Sequence, residues 1–168
     1  MPDFIRATML LKMLALLMLP APVMADAMTE HIFLQVKNTH GNVVFSIAVK
    51  AGASFGIRFV HSVAKSPVEE WFTIQNGTIF LEKTVYQDFG AGLPHEPGSG
   101  QRMTCSNGRI CISGYHRHLP SFDVRVGRIA QHALLLPARD DMAIIPLTCL
   151  AAPGDALTFA LSNTAAKP

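Results

Sequence analysis

The sequence predicts an all-β protein, a single antiparallel β-sandwich of Greek-key or jelly-roll type, and three observations support this prediction. Apolar and polar residues alternate in short segments from residue 31 onward, as they do in half-buried strands. Turn signals built from Gly, Pro, Asn and Asp separate these segments at intervals of about 8–12 residues. No apolar pattern of helical period continues long enough after residue 30 to predict a helix. About ten short strands are therefore expected.

The first 25 residues predict a secretory signal peptide. Arg6 and Lys12 form a basic start, residues 13–19 are apolar, and Val23-Met24-Ala25 is a small-residue cleavage site. The apolar stretch is too short for a membrane-spanning helix of about 20 residues. Cleavage would leave residues 26–168 as one domain that has no membrane span and is periplasmic or secreted. An uncleaved anchor is the alternative.

Composition narrows the classes of partner and cofactor. The chain has 168 residues, 14 Lys+Arg against 12 Asp+Glu, and a formal net charge of +2. The basic residues are scattered, so a nucleic-acid partner is not expected. No dinucleotide or phosphate-binding fingerprint precedes a helix, so no cofactor is predicted.

The predicted strands follow the alternation in chain order. Residues 31–37 and 42–49 form a hairpin around Gly41-Asn42, and residues 55–61 form the next strand. The later strands are expected at 121–126, 132–136, 143–150 and 156–161.

Asn76-Gly77 predicts the central hairpin, because a type I′ turn needs positive φ at both residues. A two-residue turn sets the register of the flanking strands. The predicted pairs are Gln75–Thr78, Ile74–Ile79, Phe72–Leu81, Glu70–Lys83 and Val68–Val85. Glu70 and Lys83 either form a cross-strand ion pair, or Glu70 points into a site at the end of the core.

His61 ends one apolar row, and Glu70 begins another. The turn between them contains Ser66-Pro67, and the glycine-rich loop from Phe89 to Pro94 leaves the hairpin at the same end. These segments are expected to cluster. The predicted ligand-binding residues are His61, Glu70, Lys83, Phe89, Gly90, Gly92 and Leu93.

The strings His61-Ser62-Val63, Ser66-Pro67-Val68 with Glu70, and Phe89-Gly90-Ala91-Gly92-Leu93-Pro94 together resemble the bacterial domain-of-unknown-function family DUF1850. The resemblance covers roughly Leu34 to Leu161. It implies a small exported or membrane-anchored protein of the kind often encoded beside tripartite (TRAP-type) solute transporters. It implies no established activity.

Asn107-Gly108 predicts a further hairpin that is flanked by Cys105 and Cys111. A three-residue turn would place the two cysteines opposite each other, whereas a two-residue turn would offset them by one residue. Because an exported protein meets an oxidising compartment, a Cys105–Cys111 disulfide is predicted. Cys149 lies in an apolar run and is expected to be a buried thiol.

His116 and His118 are the candidate metal ligands. Residues i and i+2 of a strand share a face, so both imidazoles could bind one ion. His95 and Glu96 of the long loop could complete such a site.

Three classes of function are compatible with these patterns. The leading hypothesis is a non-enzymatic periplasmic accessory or binding protein, which contacts a small-molecule solute or a transporter component. The second is a small hydrolase or lyase-type enzyme with His61 or Glu70 as general acid/base. Ser62 is a weaker nucleophile candidate, because neighbouring strand residues point to opposite faces. The third is a metal-binding module through His116 and His118.

Overall fold

The computed structural model describes residues 31–90, 92–139 and 141–165. These residues form eleven β-strands and one short 3-10 turn at Leu147–Cys149. The predicted signal peptide, residues 1–25, lies outside them. In the described part of the chain, no helix has the length and apolar character that a membrane crossing needs. The strands are β1 (Ile32–Lys37), β2 (Val43–Val49), β3 (Ser54–Val60), β4 (Pro67–Gln75), β5 (Thr78–Tyr86), β6 (Arg102–Ser106), β7 (Arg109–Leu119), β8 (Ser121–Arg125), β9 (Ala133–Pro137), β10 (Met142–Pro146) and β11 (Ala156–Ser162).

The strands form two sheets, and all pairings are antiparallel. The small sheet has the order β2-β1-β11-β8, and the large sheet has the order β10-β9-β3-β4-β5-β7-β6. Both sheets contribute buried side chains to one core. The predicted all-β sandwich is therefore confirmed.

Stacked phenylalanine rings join the two sheets. Phe55 and Phe72 of the large sheet meet Phe122 and Phe159 of the small sheet, with ring centroids 4.5 Å apart for Phe72 and Phe122. Stacked rings add specific attraction to the burial of a large apolar area. We call the side of the large sheet that carries these rings its inner face, and the opposite side its outer face.

A second apolar cluster lies on the same inner face, outside the contact with the small sheet. Its buried members come from β4, β5 and β7 alone: Val68, Tyr86, Ile110 and Ile112. Leu93 of the long loop between β5 and β6 packs against them. The Tyr86 hydroxyl also donates a hydrogen bond of 2.5 Å to the Pro94 carbonyl oxygen. The loop thus covers the part of the inner face where this cluster lies.

The central hairpin has the predicted turn but not the whole predicted register. Asn76 and Gly77 have φ values of 50° and 69°. Beyond Phe72–Leu81, β5 contains one extra residue, Glu82, so Trp71 pairs with Lys83 and Glu70 with Thr84. Such a β-bulge moves every later side chain by one position. The predicted pairs Glu70–Lys83 and Val68–Val85 are therefore wrong.

The predicted disulfide does not form in the structure, where Cys105 and Cys111 are both free. The turn at Asn107-Gly108 has two residues, so Cys105 pairs with Ile110 and Cys111 with Thr104. Directly opposite residues share a face and successive residues alternate. The two thiols consequently lie on opposite faces of the sheet.

Cys149 is exposed, and the prediction of a buried thiol is wrong. β10 ends at Pro146, because proline has no N–H for the strand ladder. The chain continues as the 3-10 turn, in which Leu147 is the buried side chain.

Candidate functional site

The candidate site is a cavity of about 470 Å³ between the inner face and the loop that covers it. Strands β3, β4, β5 and β7 form its floor, and the loop contributes Gly92, Leu93 and Pro94. The remaining lining residues are Phe59, His61, Val68, Glu70, Leu81, Thr84, Tyr115 and Arg117. We call it the Glu70–Arg117 cavity.

Glu70 lies in a row of buried side chains that crosses the inner face. Its direct neighbours across the strands are Ile57 and Thr84, both buried, and Ile112 follows on β7. The bulge at Glu82 determines which residue of β5 lies opposite Glu70. Without the bulge that residue would be Lys83 and not Thr84. The Glu70 carboxylate thus occupies a position whose neighbours in the sheet are buried side chains.

The charge of Glu70 is incompletely compensated. Burial raises the pKa of the Glu70 carboxyl, and the nearby positive charge of Arg117 lowers it by a smaller amount. Among the described residues, no ion pair joins the Glu70 carboxylate to the Arg117 guanidinium. The two opposite charges therefore face one cavity without contacting each other.

An irregularity in β7 brings Arg117 to the inner face. Lys83 pairs with Ser113 and Leu81 pairs with Arg117, so three residues of β7 lie opposite Glu82 alone. Gly114 and His116 have φ values of 83° and 44°. Two features therefore require glycine at position 114. One is its positive φ, and the other is that a Cβ there would lie 2.9 Å from the Gly100 carbonyl oxygen.

His61 organises the turn that leads into β4. Its Nδ1 accepts hydrogen bonds from the backbone N–H groups of Ala64 and Val63, at 3.1 and 3.3 Å. Its backbone N–H donates to the Ser66 carbonyl, and its carbonyl accepts from Lys65. A ring nitrogen that accepts from two N–H groups is an unprotonated nitrogen.

The glycine-rich loop packs directly on the ring of His61. A Cβ built on Gly90 would lie 2.8 Å from His61 Cε1 and 3.0 Å from Nδ1. Only glycine fits this contact without displacing the ring. The Leu93 N–H donates to the Gly90 carbonyl and closes the next turn of the loop. The turn that contains His61 and the glycine-rich loop that contains Gly90 are thus in direct contact.

The predicted ligand-binding residues divide into two groups. Four of them line the cavity together: His61, Glu70, Gly92 and Leu93. Gly90 lies beneath the His61 ring. Phe89 is 49% exposed and stacks on His95.

Lys83 lies away from the cavity. Its register partner is Trp71, and its Nζ is 5.5 Å from the centroid of the Trp71 ring. Trp71 also donates a hydrogen bond to Glu69, which forms an ion pair of 2.9 Å with Arg109. The bulge therefore removes Lys83 from the site that the simple register predicts.

Ser62, the weaker nucleophile candidate, is exposed in the turn after β3 and does not line the Glu70–Arg117 cavity. His61 and Glu70, the two general acid/base candidates, line it together.

The two candidate metal ligands have separate partners. His116 Nδ1 is 3.3 Å from the Glu82 carboxylate, and His118 Nε2 is 3.2 Å from the Thr78 hydroxyl. His118 lies opposite Phe80 on the outer face, whereas His116 belongs to the irregular part of β7. Across residues 31–90, 92–139 and 141–165, no three His, Cys, Asp or Glu side chains come together as a metal site.

Sequence reasoning did not select three polar lining residues: Thr84, Tyr115 and Arg117. The signal that could have found Arg117 is Gly114, since an isolated glycine within a strand pattern indicates a bulge. Tyr115 and Arg117 follow that glycine directly.

A comparison with protein-family models matches residues 55–141 to a family described as "Domain of unknown function (DUF1850)". The matched range contains both strings that meet at His61 and Gly90, and all the lining residues of the cavity. No curated protein and no solved structure matches the chain significantly.

Proposed function

This chain belongs to the DUF1850 family, and from that premise we propose that it is an exported, non-catalytic binding protein that captures a small polar solute in the Glu70–Arg117 cavity. One observation carries the proposal. A desolvated carboxylate and a guanidinium line the same cavity without forming an ion pair with each other. The burial of the Glu70 carboxylate, which the exposed Arg117 offsets only in part, costs free energy of folding, and a ligand can offset the remainder.

The dimensions and lining agree with solute binding. The volume of about 470 Å³ lies in the range of small-molecule sites. Apolar side chains form most of the wall, and a few polar groups converge on the interior. That combination is usual for ligand pockets, in which the polar groups set the orientation of the ligand.

The bonding of His61 favours binding over catalysis. Its Nδ1 already accepts two backbone hydrogen bonds, which hold the turn before β4. A general base would have to give up those bonds to take a proton on that nitrogen. The raised pKa of Glu70 is nevertheless a feature that general acids share, and the test below therefore includes turnover.

The cellular setting is part of the proposal. The pattern of residues 1–25 predicts export, and the family resemblance implies a setting beside TRAP-type transporters. A periplasmic protein that captures a solute, or presents it to a transporter component, suits both.

The test is a thermal-shift screen of the protein that is purified from the periplasm after expression of the full-length chain. The probes are amino acids, dicarboxylates, sugars and polyamines. We expect one class of solute to raise the melting temperature of the wild type. We expect the same shift in Lys83→Gln, which removes a charge on the outer face, and its loss in Glu70→Gln and Arg117→Gln.

Two results would overturn the proposal. One is that no solute stabilises the wild type, or that every variant responds equally. The other is that the stabilising solute is converted to a product, which gas or liquid chromatography of the incubated mixture would detect. The second result would favour the enzyme with Glu70 or His61 as acid/base.

A further inference from the structure

The two charges of the cavity define the class of ligand more narrowly than "polar solute". Glu70 lies on β4 and Arg117 on β7, with β5 between them. Arg117 is close enough to lower the pKa of Glu70, yet the described residues contain no ion pair between the two. A space that separates two opposite charges can hold a molecule that carries the complementary charge at each end.

A ligand with one charge would match only half of this arrangement. An anion could pair with Arg117, but it would add negative charge beside the desolvated Glu70 carboxylate. A cation could pair with Glu70 but would repel Arg117. Burial acts on Glu70, whereas Arg117 is exposed to solvent, so the cost of an unpaired charge falls mainly on the Glu70 carboxylate.

A ligand with both charges satisfies both groups. An ammonium donates hydrogen bonds to the Glu70 carboxylate, and a carboxylate accepts two parallel N–H bonds from the Arg117 guanidinium. Thr84 and Tyr115, which both carry a hydroxyl group, belong to the same lining. The apolar wall of Phe59, Val68 and Leu93 faces the rest of the ligand.

We propose that the cavity binds a small zwitterion of the α-amino-acid class, with its ammonium on Glu70, its carboxylate on Arg117 and an apolar side chain against the wall. This inference rests on the proposed binding function and names its ligand class.

The experiment removes one charge at a time from the ligand. Standard L-amino acids are first screened by thermal shift on the same periplasmic protein. The best of them is then compared by isothermal titration calorimetry with its N-acetyl derivative, which lacks the ammonium, and with its amide, which lacks the carboxylate. We expect each derivative to bind the wild type about 10- to 100-fold more weakly.

Matched variants assign each charge to its partner. In Glu70→Gln the free amino acid should lose its advantage over the N-acetyl derivative, and in Arg117→Gln it should lose its advantage over the amide. Lys83→Gln should retain both advantages. Circular dichroism of each variant verifies that the fold is intact.

The outcomes separate this inference from the proposed function. If no amino acid binds but a sugar, dicarboxylate or polyamine does so through Glu70 or Arg117, the binding function stands and the zwitterion is wrong. If a derivative binds as tightly as its parent amino acid, the zwitterion is also wrong. If nothing binds, both proposals fall.

Discussion

At the scale of single residues, Glu70 places a carboxyl group where burial disfavours its charge. Its carboxylate occupies a row of buried side chains, and burial raises its pKa. Because the folded pKa lies above the pKa in the unfolded chain, the folded protein binds more protons between those two pH values. The free energy of unfolding therefore falls as pH rises through the folded pKa of Glu70.

We expect Glu70→Gln to change the pH dependence of stability. The variant removes the desolvated charge, so its free energy of unfolding should exceed that of the wild type by on the order of 1 kcal/mol near about pH 8. Near about pH 4 the wild-type carboxyl is protonated and the difference should disappear. Urea denaturation at the two pH values measures both.

Glu69→Gln is the matched control, because Glu69 is the neighbouring residue on the outer face. Its carboxylate pairs with Arg109 and accepts a bond from Trp71. Removing that charge should lower stability slightly, by about 0.2–1 kcal/mol. Equal destabilisation of both variants at both pH values would contradict the role assigned to Glu70.

At the scale of elements, the turn after β3 and the loop after β5 act as one unit. The His61 ring accepts bonds from its own turn and fills the space above Gly90. Two further contacts hold the loop in place. The Tyr86 hydroxyl donates a hydrogen bond to the Pro94 carbonyl oxygen, and Leu93 packs against the second apolar cluster. These contacts place the wall of the cavity over its floor.

This unit predicts a coupled pair of substitutions. Gly90→Ala should destabilise the wild type by about 1–3 kcal/mol, since its Cβ would overlap the His61 ring. In a His61→Ala background the same change should cost much less, because the ring is gone. A double-mutant cycle of urea unfolding measures the coupling, expected at about 0.5–3 kcal/mol.

Gly98→Ala in the same loop is the control for this cycle. A Cβ there would meet the flexible side chain of Gln101 at 3.3 Å, which can move aside. Its effect should be small and independent of His61. Additive effects of Gly90→Ala and His61→Ala would show that the two residues do not form a unit.

At the scale of the whole molecule, the packing of two sheets holds the chain together without a covalent cross-link. The core joins strands of both sheets through apolar side chains and stacked rings. The cysteines of the hairpin β6–β7 lie on opposite faces, and Cys149 is exposed on the 3-10 turn. Stability should therefore not depend on the redox state of the solution.

We expect all 3 cysteines of the chain to be free thiols. Protein purified without reductant and unfolded in guanidinium should react with Ellman's reagent at every cysteine. Dithiothreitol should leave the melting temperature unchanged to within about 1 °C. A loss of two thiols, with a lower melting temperature after reduction, would restore the disulfide prediction.

Part of the candidate site was predictable because it depends on residues that are close in sequence. His61 and Glu70 flank one short turn, and Gly92 and Leu93 belong to the loop at the same end of the next hairpin. Arg117 and Tyr115 were not predictable in this way. They reach the cavity through a pairing of β7 with β5 whose register changes within the strands.

Local patterns were sufficient for the fold class and for the turns. Alternation along the strands and the Asn-Gly pairs act over a few residues, so the all-β architecture and both tight hairpins follow from the sequence alone. The faces of Lys83 and Arg117 depended on tertiary structure. An extra residue at Glu82 and the irregular stretch of β7 shift strand pairing by whole residues, and each shift of one residue sends a side chain to the other face of the sheet. The energetic balance that selects those bulges comes from packing between strands distant in sequence.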